Sequence, residues 1–267
     1  LPCKADTMNT SELRELLDEK YDEYCTPAFI DDDPISVPHY FSKKEDIEIA
    51  GFFAAMLAWG QRQQIIKSAR NLMQMMDYAP FDFLTGATKK ELNPFKSFVY
   101  RTFNGNDCVF FLHSLKNIYL KHQGLEAVFI EGYRRYGDLF AAIGMFRTVF
   151  FETAHLPRSE KHISDPARNS ACKRLHLFLR WMVRSNNRGV DFGLWKEIPA
   201  SKLYCPLDLH TGNVSRALGL LNIKENNKKA VEELTGSLRC FDPEDPVKYD
   251  FSLFGLGFYN KICNFDV

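Results

Sequence analysis

Apolar positions recur at helical spacing along most of the chain. Residues 11 to 24 bring Leu13, Leu16, Leu17, Tyr21 and Tyr24 near one face with charges between them, which predicts an amphipathic helix. The run from Ile47 to Trp59 is nearly all apolar and is rich in small residues (Ala50, Gly51, Ala54, Ala55, Ala58) that permit close helix approach, so a central buried helix is expected. After Gly60, the positions Ile65, Ile66, Ala69, Leu72, Met73 and Met76 follow a helical repeat and predict a one-sided helix. The polar junction from Gly60 to Gln64 is expected to be exposed. Phe98 to Phe103 followed by Asn-Gly resembles a strand and hairpin turn, but no second alternating run follows, so the segment reads as a loop. Asp107 opens an apolar helical stretch through Phe111, Leu115, Ile118 and Tyr119, and Gly124 and Gly137 punctuate two further helices. Additional helices are expected around Lys173, after Asp208, at about 226 to 238 and at 244 to 260. Without repeats, low complexity or convincing strands, the class is all-α.

Composition adds a core and removes several alternatives. The 267 residues are 45% hydrophobic and include 23 Phe, enough for one large domain or two modest lobes with an aromatic interior. Formal net charge is zero, so any nucleic-acid function must rest on local asymmetry. Such asymmetry exists: from Arg158 to Arg188 there are eight Lys or Arg against Glu160 and Asp165, while acids gather at Asp31-Asp32-Asp33 and from Asp242 to Asp250. The triple Asp beside Pro34 reads as a solvated loop or as a cation site. Seven cysteines (3, 25, 108, 172, 205, 240, 263) form no CxxC pair and read as reduced thiols of a cytoplasmic protein. The beginning of the chain has no charged-then-apolar signal pattern, and the Ile47 to Trp59 run is too short to span a membrane.

Two helix starts carry the candidate chemistry. Lys173, His176, Arg180 and Arg184 are spaced by 3, 4 and 4, a basic stripe down one helix face. A lysine in the first turn meets the positive end of the helix macrodipole, here with Arg174 beside it; both disfavour an ammonium, the condition under which a lysine amine becomes a nucleophile. The same spacing also fits a solvated face or a phosphate-binding ridge. Asp208 precedes a helical pattern (Val214, Ala217, Leu218) that closes at Gly219, which places it at a helix N-terminus; it reads as a plain cap or as a catalytic carboxylate. A metal site built on Cys205, Asp208 and His210 is a further reading, on a turn without the usual ligand spacing.

Residues 206 to 220, Pro-Leu-Asp-Leu-His-Thr-Gly-Asn-Val-Ser-Arg-Ala-Leu-Gly-Leu, resemble the [VL]-D-[TL]-H-x-x-x-[VI]-x-R-x-L-G-L signature of the helix-hairpin-helix DNA glycosylase superfamily, which includes endonuclease III and the archaeal 8-oxoguanine glycosylases. The resemblance implies that Asp208 is the essential carboxylate and Lys173 the nucleophile, since Asn169-Ser-Ala-Cys-Lys173 falls where the hairpin and its lysine should be. The gap between them is closer to the archaeal branch. Ile47 to Gln64 is similar to the first core helix, with its polar end toward DNA. Ser-Ala-Cys-Lys-Arg-Leu, Phe-Leu-Arg-Trp-Met-Val-Arg and Leu-Asp-Leu-His together look most like an uncharacterised bacterial family of this superfamily, a domain of unknown function. Two departures stand out. Asn169, Ser170 and Ala171 replace the usual L-P-G-x-G, and the four-cysteine iron-sulfur loop is absent, with only Cys240 and Cys263 in the C-terminal part.

The resemblance implies a two-lobed all-α fold with the active site in a cleft between lobes: residues 1 to 44 as the N-terminal part of the terminal lobe, 45 to 205 as the central lobe, and 206 to 267 as the rest of the terminal lobe. It implies a monomeric, nucleoid-associated base-excision enzyme without cofactor or metal. Its partner is double-stranded DNA carrying a damaged base, such as an oxidised purine, which is flipped out of the stack. Lys173 and Asp208 are the expected catalytic pair; Gln61, Arg62, Arg168, Asn169, Ser170, Arg174, His176, Arg180, Arg184 and His210, with Lys161, are expected on the DNA. Trp59, Trp181 and Trp195 are core residues or platforms for the flipped base. The rival reading is a DNA-binding protein that keeps this fold without the chemistry.

Overall fold

Residues 9 to 258 are described by a computed structural model, and every regular element among them is helical. In chain order the α-helices are α1 (Thr10–Tyr24), α2 (Ala28–Asp31), α3 (Lys44–Met56), α4 (Arg62–Met75), α5 (Pro80–Gly86) and α6 (Gly105–Lys121). They continue with α7 (Leu125–Tyr136), α8 (Leu139–Phe150), α9 (Lys173–Val183), α10 (Leu209–Ala217), α11 (Lys228–Phe241) and α12 (Tyr249–Phe258). The all-α class is thereby established. Cys3, Cys263 and the last two positions of the helix expected over 244 to 260 lie outside the described residues.

The chain forms two compact units. One is continuous, from Ile30 to Asp165; the other joins the segment up to Phe29 with the segment from Pro166 onward.

In the continuous unit, α3 is the central helix. It begins three residues before the apolar run because Asp46 and Glu48, although charged, are buried and paired: Asp46 accepts from the Phe81 N–H at 2.8 Å and Glu48 from the Tyr119 hydroxyl at 2.7 Å. Phe52 meets Phe146 edge-on at 5.7 Å, Phe111 meets Phe150 at 4.9 Å, and Phe129 stacks on Phe146 at 4.6 Å, the aromatic interior that the Phe content predicts. The helix α4 buries Ile65, Ile66, Ala69, Leu72 and Met73 and turns its polar side outward, as its repeat requires. Helices α7 and α8 approach closely enough that a Cβ on Gly132 would lie 2.8 Å from the Ala142 Cα. The Phe98 to Phe103 segment is a loop: Tyr100 and Phe103 exchange backbone hydrogen bonds of 2.8 and 2.9 Å around Arg101, one isolated bridge. Asp33 is not part of an open acidic loop. It is buried, caps the 3₁₀ turn Pro34–Ser36 and pairs with Arg62 at 3.2 Å.

In the discontinuous unit, α1 lies along α12: the Ser252 hydroxyl donates to the Leu17 carbonyl at 2.6 Å, and Gly255 leaves room for the Tyr24 ring, which a Cβ would meet at 2.0 Å. The helix α9 is buried nearly all round by Leu175, Phe178, Leu179, Trp181, Met182 and Val183. Trp181 and Trp195 are both fully buried, and Phe178 meets Trp195 edge-on at 5.4 Å, so these two tryptophans belong to the core and form no platform.

Candidate active site

Lys173 is the first residue of α9, and Asp208 is the N-cap of α10. What puts Lys173 there is a chain reversal without glycine. A 3₁₀ turn (Pro166–Arg168) leads into Asn169 at φ +58°, and Cys172 at φ +47° redirects the backbone into the helix. Asparagine tolerates the left-handed region because its short side chain bonds locally; for cysteine the conformation carries strain. The reversal is fastened by backbone pairing of Ser170 with Asn227, and by the Lys228 N–H donating to the Asn169 carbonyl at 3.0 Å.

Asp208 is delivered by the buried extended segment Cys205, Pro206, Leu207, in which the Cys205 N–H donates to the Thr235 hydroxyl at 3.1 Å. One carboxylate oxygen of Asp208 accepts from the Thr211 N–H at 2.8 Å, the usual N-cap bond. The other lies 3.2 Å from the Lys173 amine. Both side chains reach solvent, with 32% of Lys173 and 22% of Asp208 exposed. Asn226 donates to the Asp208 carbonyl at 2.8 Å and accepts from Arg216 at 2.7 Å, closing the first turn of α10 from outside. Burial alone would push the Asp208 carboxyl up; Lys173, the Thr211 N–H and His210 outweigh it and hold the group below the usual carboxylate range.

The basic stripe keeps its helical register but faces inward. His176, Arg180 and Arg184 are 0, 3 and 0% exposed. Arg180 donates to Asp191 at 3.3 Å and to Asp250; Arg184 donates to Asp191 at 2.8 Å, to both oxygens of Asp245 at 2.9 Å and to the Tyr21 hydroxyl at 2.7 Å. Guanidinium groups so enclosed have no surface left for a phosphate, and the expectation that they meet DNA is corrected. Besides Asp191, their acidic partners come from the stretch Asp242 to Asp250 that sequence reading set apart from them. The available signal was the near-continuous apolar run around α9: a helix buried all round must bury its arginines too, and must therefore find them acids.

Asp250 is the functional-site neighbour that sequence reading missed. It is buried between Arg180 and the Cys205 thiol, whose sulfur lies 3.9 Å from its Oδ1. Burial raises its carboxyl to about 6, with Arg180 pulling the other way and the negative charge of Asp208 adding to the rise.

Of the remaining expected DNA contacts in this unit, Arg168, Asn169 and His210 are exposed, and Ser170 and Arg174 are half-buried. Gln61, Arg62 and Lys161 belong to the continuous unit. There Gln61 is the exposed N-cap of α4, Lys161 is exposed, and Arg62 is engaged with Asp33. Trp59 is half-buried, with the Arg101 guanidinium 4.7 Å over its ring. Among the described residues, no group of three or more His, Cys, Asp or Glu is placed to hold a metal ion, so neither the triple Asp nor Cys205, Asp208 and His210 forms such a set. No helix among them is long and apolar enough to cross a membrane.

No curated protein and no solved structure matches the chain. A family model described as a protein of unknown function (DUF2400) matches residues 33 to 259, most of the sequence, and the chain belongs to that family.

Proposed function

We propose that this protein is a DNA base-excision glycosylase with abasic-site lyase activity, built on the helix-hairpin-helix glycosylase fold. The observation that carries the reading is the pairing of the Lys173 amine with the Asp208 carboxylate at 3.2 Å, at the starts of two helices and in contact with solvent. The reversal through Asn169 and Cys172 is read as the counterpart of the glycine-rich hairpin, with left-handed backbone supplied by other residues.

In this mechanism the damaged nucleotide is turned out of the duplex, because the glycosidic bond is out of reach inside the stack. The unprotonated Lys173 amine attacks C1′; the C1′–N bond breaks, and its electron pair leaves with the base, which takes up a proton. The attached nitrogen then gives up a proton, the C1′–O4′ bond breaks with O4′ taking one up, and from the resulting Schiff base a C2′ proton is lost as the C3′–O bond breaks and the 3′ phosphate leaves. Asp208, held ionised, serves first as the counter-charge to the oxocarbenium-like sugar. A carboxylate whose proton affinity is depressed is better suited to that role than to acting as a strong base.

Borohydride trapping on DNA containing abasic sites or a panel of oxidised bases tests the proposal. A covalent adduct is expected with the parent and none with Lys173→Met, while Asp208→Asn should slow adduct formation by about 10²-fold or more. A parent that gives no adduct with any lesion would sink the enzyme reading. It would favour a DNA-binding protein without the chemistry, the reading supported by Asn169, Ser170 and Ala171 standing where the hairpin glycines usually do.

A further inference from the structure

The polar side of α4 takes no part in the Lys173 and Asp208 chemistry, yet its composition is sharply selective. None of its fourteen residues is acidic. Gln63, Lys67, Asn71 and Gln74 stand exposed on one side of the helix, with Arg70 half-buried among them. Together with the exposed Val99 they line a groove of about 580 Å³. The Arg70 guanidinium lies 5.1 Å over the ring of Tyr40, itself 62% exposed, and the buried Arg70 Nε has no hydrogen-bond partner.

We infer that this groove binds a single strand of nucleic acid. Two cations without a neighbouring acid on the helix select an anionic ligand. The amides add to this: each offers both donors and an acceptor, which suit base edges. An acidic peptide would satisfy Lys67 and Arg70 but brings no flat ring of its own to lie on Tyr40. The ring of Tyr40 with a guanidinium on it is the kind of stacking platform that single strands use, since every base has a π-face. A duplex, with its bases stacked on one another, would engage the cations and amides and leave the Tyr40 platform unused. This inference goes beyond the lysine chemistry and does not rest on it.

The test is fluorescence anisotropy with the full-length protein and labelled, lesion-free single strands of one mixed sequence, as DNA and as RNA, across a salt series. Lesion-free strands keep this result separate from adduct formation, so either reading can fail alone. Binding is expected to weaken with salt, and Lys67→Ala should lower the slope of log affinity against log salt by about 0.7. Tyr40→Ala should weaken binding about tenfold. Thermal melting of each variant checks that the fold is kept, which the exposure of both positions favours. Tighter binding of one strand type names the natural strand. The proposal is overturned if no strand binds, if both variants bind as the parent does, or if poly-glutamate displaces the strand at equal charge concentration, which would mark an acidic polypeptide site.

Discussion

Inside the discontinuous unit, Arg184 holds Asp191, Asp245 and Tyr21 at once, and these charges raise its already high affinity for its proton. Removing it leaves Asp191, whose side chain has no exposed surface, with Arg180 alone and takes the guanidinium from Asp245. Arg184→Met is therefore expected to destabilise the protein by about 3–5 kcal/mol, read from the midpoint of urea unfolding. Asp250 makes a pH prediction with a definite sign. An ordinary aspartate titrates near 3.9, so a folded value of about 6 means that the native state takes up a proton, between about pH 4 and 6, which the unfolded chain does not. This contribution favours folding below about pH 4 and is lost as pH rises through about 6. Asp250→Asn, uncharged throughout, should gain stability relative to the parent by on the order of 2 kcal/mol between pH 4 and 7, measured by urea unfolding at each pH. At this scale the sequence showed Lys173 and Asp208 at helix starts, because caps and first turns are local. It did not show which way Arg180 and Arg184 point, because that depends on Asp191 across a loop and on Asp245 and Asp250, 61 and 70 residues away, which no spacing rule connects to them.

Helices with long apolar repeats were legible from the sequence: α1, α4, α6, α7 and α8 lie where their patterns put them, and Gly124 and Gly137 bracket α7 at positive φ. The short α5 was not, since seven residues give less than two full helical repeats to read. The start of α3 was missed because Lys44, Glu45 and Asp46 look like a loop until Phe81 and Tyr119 supply the buried acids with partners. The contact of α7 with α8 yields a test of packing. At Gly132 a side chain has no space against the Ala142 backbone, and Gly132→Val is expected to cost about 1–3 kcal/mol of stability or more, seen as a lowered melting temperature. The exposed Lys67, on the far side of α4 from its apolar stripe, should leave melting unchanged when replaced by alanine.

For the molecule as a whole, the all-α class could be read from periodicity alone, whereas the grouping of helices could not, because it is set by contacts distant in sequence. The Ser252 hydroxyl on the Leu17 carbonyl and the Tyr24 ring over Gly255 link residues more than two hundred positions apart. One unit is continuous in the chain and the other begins before it and ends after it. On the ribosome this imposes an order. Residues 30 to 165 emerge complete and can close around their phenylalanines, while α1, already synthesised, lacks the partners of its own unit, Arg184 and finally α12, for on the order of ten seconds at ~10 residues per second. A chain arrested after residue 165 should accordingly yield a protease-resistant fragment beginning near residue 30, with α1 cut away. Until α12 has emerged, the apolar side of α1 lacks its main cover, so the nascent protein needs a chaperone most at a segment made before the unit that is already closed.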